Sequence, residues 1–133
     1  MTTKTNLLLC LVYYWFPPLI WLALIFLASS QPGPTYPDLG ALDFFAKKLA
    51  HFLIYAVLYI LLFRAFATLR WAGQSARRPH LLPMLIAILY AISDEIHQTF
   101  VPSRDGTIRD VCIDSAGVLM AYLLVRWWTR SRV

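Results

Sequence analysis

Long apolar runs separated by short polar breaks organise this chain. Leu7 to Ser29 is apolar over about the 20 residues that a helix needs to cross a hydrocarbon core, and it predicts a first membrane helix that Pro17-Pro18 kink rather than end. Lys4 before the run and Ala28, Ser29 and Ser30 after it also fit a cleaved secretory signal. The run is long for one, so it is expected to stay in the mature protein. Gln31 to Asp43, with Pro32, Gly33, Pro34, Pro37 and Gly40, predicts an extended loop. Phe44 to about Phe66 forms a second span whose opening turns carry Lys47, Lys48 and His51. Arg64 to His80 holds Arg64, Arg70, Arg77 and Arg78 without an acid and reads as a basic loop, with room for a short surface helix.

The third span, Leu81 to Val101, is apolar at first and then turns abruptly polar with Ser93, Asp94, Glu95, His97 and Gln98. Pro102 to Arg109 predicts a turn around Gly106, and Asp110 to Trp128 a fourth span with Asp114 one turn inside its start. Gly117, after Ser115 and Ala116, suits a close helix contact. The expected fold is all-α: one domain over residues 1–133, a polytopic membrane protein built as a compact bundle of four transmembrane helices (about 7–29, 44–66, 81–101 and 110–128).

Composition agrees. Hydrophobic residues make up 59% of the chain and charged ones only 14%, against about a quarter in soluble domains. The net charge of +5 does not indicate nucleic acid, because the basic residues flank apolar runs instead of lying in a polar domain. Four spans put Lys4, Arg64, Arg70, Arg77, Arg78, Arg126, Arg130 and Arg132 on one side. The positive-inside rule makes that side cytoplasmic, with both termini there. All seven acids then occupy the outer half, together with Lys47, Lys48, Arg104 and Arg109. Cys10 and Cys112 fall near opposite faces, so no disulfide is expected, and Trp127 and Trp128 suit an interfacial belt.

Helical spacing aligns Lys47, His51 and Tyr55, sets Asp94 over His97 and Gln98, and sets Asp110 over Asp114. Ionisable groups at that depth face the bundle or a watery cavity, since exposure to lipid costs several kcal/mol each. The stripes are therefore expected to converge on one pocket, with Lys48, His51, Asp94, Gln98, Arg104, Asp110 and Asp114 as binding residues and Arg104 placed to reach a ligand anion. Several chemistries fit these residue types. Cationic side chains would pair with the phosphate or carboxylate of a membrane lipid or a lipid-linked cell-envelope precursor. Glu95 or His97 would serve as catalytic acid or base in an enzyme acting on such a substrate. His51, His97, Asp94 and Asp114 would suit zinc or manganese. The same charges also fit a neutralising network that only fixes helix register. No phosphate loop, nucleophile elbow or nucleotide fingerprint occurs, and no cofactor is assigned.

The motifs Lys48-x-x-His51-Phe52-x-x-Tyr55, Ser93 to Gly106 (SDEIHQTFVPSRDG) and Arg109-Asp110-Val111-x-x-Asp114-Ser115-Ala116-Gly117, with the leading Leu27 to Pro32 (LASSQP), resemble the VanZ-like family over nearly the whole chain. The resemblance implies that Lys48, His51, Asp94, Glu95, Gln98, Pro102, Arg104, Asp110, Asp114 and Gly117 are the family's characteristic positions. It also implies a link to glycopeptide resistance, because the family is named for a member associated with low-level resistance to teicoplanin. It names a site without naming its chemistry.

Overall fold

The computed structural model describes residues 2–33, 40–69 and 78–131, without the side chains of residues 2–8, 10, 78 and 79. The regular elements are α1 (Thr2–Ser29), α2 (Ala41–Ala67), α3 (Arg78–Gln98) and α4 (Ile108–Arg130), and no strand occurs among the described residues. They form a compact all-helical bundle. Leu11–Ser29, Ala41–Ala67 and His80–Gln98 are long and apolar enough to cross a membrane. The 23 residues of α4 reach roughly 35 Å at 1.5 Å per residue, a comparable length. Arg109, Asp110, Asp114, Arg126 and Arg130 lower its apolarity, yet Asp110 and Asp114 are buried while Leu119, Met120, Leu123 and Leu124 face outward. Large apolar side chains cover the outside of all four helices. Such a surface suits lipid and far exceeds the scattered apolar groups of soluble proteins.

Helix limits differ from expectation where local chemistry intervenes. Helix α1 starts at Thr2, before the apolar run, and passes through Pro17 and Pro18 without a break. Helix α3 stops at Gln98, because the N–H groups of Thr99, Phe100 and Val101 bond three residues back, to Ile96, His97 and Gln98, and Pro102 disfavours helical geometry at Val101. The basic stretch is helical at both ends, with Arg64 inside α2 and Arg78 and His80 opening α3. The guanidinium of Arg64 lies 5.6 Å and 5.7 Å from the ring centres of Tyr13 and Tyr14, so the aromatic faces of α1 support that extra turn. Arg70, Arg77, Arg132, Pro34, Pro37 and Asp38 lie outside the described residues, and Cys112 is a free, exposed thiol.

Helices α2, α3 and α4 enclose a core of Tyr55, Leu58, Tyr59, Leu62, Ala87, Ala91, Val118 and Ala121, to which α1 adds Ile25. Small residues dominate the α3 and α4 faces because, in hydrocarbon, helices gain by close packing rather than by leaving water. Gly117 is the extreme case: a Cβ there would overlap the backbone carbonyl oxygen of Phe52. Two hydrogen bonds fasten α1, from Trp21 Nε1 to Ile54 O at 3.0 Å and from Tyr90 Oη to Leu22 O at 2.7 Å. Trp21→Phe is expected to destabilise the protein by about 1 kcal/mol, the scale of such bonds in membranes. Thermal unfolding in detergent would show a drop of a few degrees, and an unchanged midpoint would mean that α1 is held by packing alone.

Candidate functional site

The polar end of α3 is placed by its own periodicity. Asp94 and Gln98 are one turn apart, so Gln98 Nε2 donates to Asp94 Oδ2 at 3.1 Å and to Glu95 Oε1 at 3.2 Å. Ser29, at the last turn of α1, donates to Asp94 Oδ1 at 2.5 Å. The other oxygen of Glu95 accepts from the backbone N–H of Thr107 at 2.9 Å, and the hydroxyl of Thr107 in turn caps α4 by accepting from Asp110 N. Glu95 thus links the end of α3 to the start of α4.

Helix α2 supplies the positive and imidazole groups. Lys48 Nζ lies 2.5 Å from Asp110 Oδ1, and His51 Nδ1 lies 3.3 Å from Asp114 Oδ1. Asp114 is wholly buried, and neither of its oxygens makes a hydrogen bond. The contact of Gly117 with Phe52 sets this pairing, because Phe52 follows His51 and Gly117 is one turn beyond Asp114.

The turn between α3 and α4 closes over the end of α1. Arg104 donates from Nε to Gln31 O and from Nη2 to Ala28 O, each at 3.0 Å, and Gly33 N donates to Pro102 O at 3.4 Å. Cationic groups suit the carbonyl end of a helix, where the macrodipole is negative. Ser103 accommodates the bend with φ of 59°. Gly106 packs flat against α3, where a Cβ would overlap Glu95 O. Two nitrogens of Arg104, the residue that the sequence places to reach a ligand anion, hold the end of α1, and its side chain lines the cleft described below.

Residues 14–129 match the family VanZ/LLP1. The chain belongs to this family. No curated protein and no solved structure matches it. The family match includes every site residue of this VanZ/LLP1 chain, from Ser29 on α1 to Asp114 on α4.

A cleft of about 470 Å³ opens between α1, α2 and the α3–α4 turn, with Lys47, Lys48 and Arg104 among its polar walls and Ile25 and Ile54 among its apolar ones. His51, Asp94, Gln98 and Asp110 line its inner part, whereas Glu95 and Asp114 lie behind His51 as a group whose donor atoms are all within 4.8 Å of one another and of its imidazole. His97 is placed elsewhere: its Nε2 is 3.0 Å from Ser30 Oγ, and its ring packs 4.8 Å from that of Phe26. It faces α1 while Glu95 faces α4, so the two residues expected for acid–base work do not share a wall. Ser29 and Thr107 were not singled out from sequence. Neither carries a charge, and only the fold brings them to the carboxylates.

Proposed function

We propose that this VanZ/LLP1 protein binds an anionic lipid-linked or cell-envelope ligand in the cleft, at the outer leaflet of the bacterial cytoplasmic membrane, and that resistance to glycopeptides would follow from that binding. The cleft itself carries the reading. Its volume of about 470 Å³ falls in the range of small-molecule sites, and Lys47, Lys48 and Arg104 share its lining with apolar residues such as Ile25 and Ile54, which suits an anionic head on an apolar chain. Lys47 is the cation freest to engage it. Its partner Asp43 lies on the same helix, the lysine side chain is 53% exposed, and exposed pairs of this kind contribute little.

All four helices span the membrane in this reading, with both termini cytoplasmic, because the arginines of α2, α3 and α4 (Arg64, Arg78, Arg126 and Arg130) lie at the helix ends opposite Asp94 and Asp110. Alkaline phosphatase fused after Arg104 should be active and fused after Arg130 inactive; the reverse pattern overturns the orientation. Native mass spectrometry with a polyprenyl phosphate tests the ligand class, the neutral polyprenol being the control. The phosphate should be retained and the alcohol lost. Lys47→Ala should weaken retention roughly tenfold, and added salt should weaken it further, as screening requires at a solvent-facing cation. Equal retention of phosphate and alcohol would remove the anion from the proposal.

A further inference from the structure

We propose that His51, Glu95 and Asp114 form a site for one divalent transition-metal ion, zinc or manganese, buried behind the inner wall of the cleft. The site stands on its own residues and holds whether or not the cleft takes an anionic ligand. Each of the three side chains offers one donor atom, and these atoms all lie within 4.8 Å of one another.

Asp114 supplies the independent observation. It is 0% exposed, and neither carboxylate oxygen has a hydrogen-bond partner. Nδ1 of His51 is 3.3 Å from Asp114 Oδ1 yet also makes no hydrogen bond. Two groups this close and not aligned on each other have the separation of ligands aligned on a common centre. Tetrahedral zinc with bonds of about 2.1 Å holds its donors roughly 3.4 Å apart. Glu95 needs only a small side-chain adjustment to join them, and its carboxylate is already oriented by Thr107 N–H and Gln98, the kind of outer support that metal ligands require.

Charge leads to the same point. Lys48 is engaged by Asp110, and the donors to Asp94 are the neutral Ser29 and Gln98. Glu95 and Asp114 are thus left beside a single imidazole. Carboxylates at membrane depth are costly unless neutralised, and a dication bound by two of them brings the group close to balance. One imidazole nitrogen with carboxylate oxygens suits zinc or manganese. Three protein ligands leave a coordination position free for water or for a ligand. The set differs from the one expected by sequence, in that Glu95 takes the place of His97 and Asp94.

The protein should be purified, stripped with a chelator, equilibrated with zinc or manganese chloride and freed of excess metal before its metal content is measured. Close to one ion per chain is expected. Cobalt(II) should give the visible absorption of a four- or five-coordinate nitrogen–oxygen site. His51→Gln and Asp114→Asn should each lower metal affinity by at least tenfold, and Lys47→Ala should leave it unchanged. His51 is only partly buried, so His51→Gln decides the matter if Asp114→Asn fails to accumulate. The site is disproved if the unaltered protein retains none of the three metals, or if His51→Gln retains as much as the unaltered protein. Polyprenyl phosphate retention is read separately, which keeps failure of the metal site distinct from failure of the ligand reading.

Discussion

Gly117→Leu is expected to eliminate the folded protein from the membrane. A single Cβ at this position would already overlap the carbonyl oxygen of Phe52, which belongs to the backbone of α2 and cannot rotate away. Overpacking a tight interior typically costs about 1–3 kcal/mol, and a leucine requires α2 and α4 to separate along their length. The consequence reaches the site, because Phe52 adjoins His51 and Asp114 precedes Gly117 by one turn. Gly117→Ala should show a graded version, accumulating but unfolding at lower temperature and with a weakened His51–Asp114 pairing. Size-exclusion profiles of a fluorescent fusion would report both. If Gly117→Leu accumulates as a monodisperse species at the normal level, the close approach is dispensable.

Lys48→Met should be the most damaging substitution of a charged residue, through what it leaves behind. Asp110 is 8% exposed and relies on Lys48 for its countercharge. Removing one partner of a buried pair costs about 3–5 kcal/mol because the other charge stays buried and alone; the side chains here retain 20% and 11% exposure, which places the expected loss at about 3 kcal/mol or below by solvent screening. Lys48→Met with Asp110→Asn should recover most of that loss, since the double change removes the orphan charge. A thermal double-mutant cycle isolates the coupling. Equal damage in the single and double variants would mean that the packing of the lysine stem, not its charge, supplies the stability.

Much of the architecture was legible in the linear pattern. Apolar runs of membrane-spanning length marked α1, α2 and α3, a less apolar run marked α4, and the polar spacing at Lys48-x-x-His51, Asp94-Glu95-x-x-Gln98 and Asp110-x-x-x-Asp114 placed those groups on definable faces. Those are period-3.6 properties, which a chain carries before it folds. Helix ends were less legible, since the capping hydroxyl of Thr107, the arrest of α3 before Pro102 and the aromatic support under Arg64 depend on neighbours that spacing does not reveal.

Within the site, the sequence determined which side chains share a helix face, and tertiary structure alone decided which of them meet. His97 and Asp94 are as close in sequence to Glu95 as any metal ligand would be, yet one turns to Ser30 and the other to Ser29 on α1. Glu95 instead joins His51 and Asp114, which lie 44 and 19 positions away. The reason is steric. The bare Cα of Gly117 lets α4 settle against the carbonyl of Phe52, and Gly106 lets the preceding turn lie flat on α3, so that two glycines with no chemistry of their own set the distances between the groups that have it.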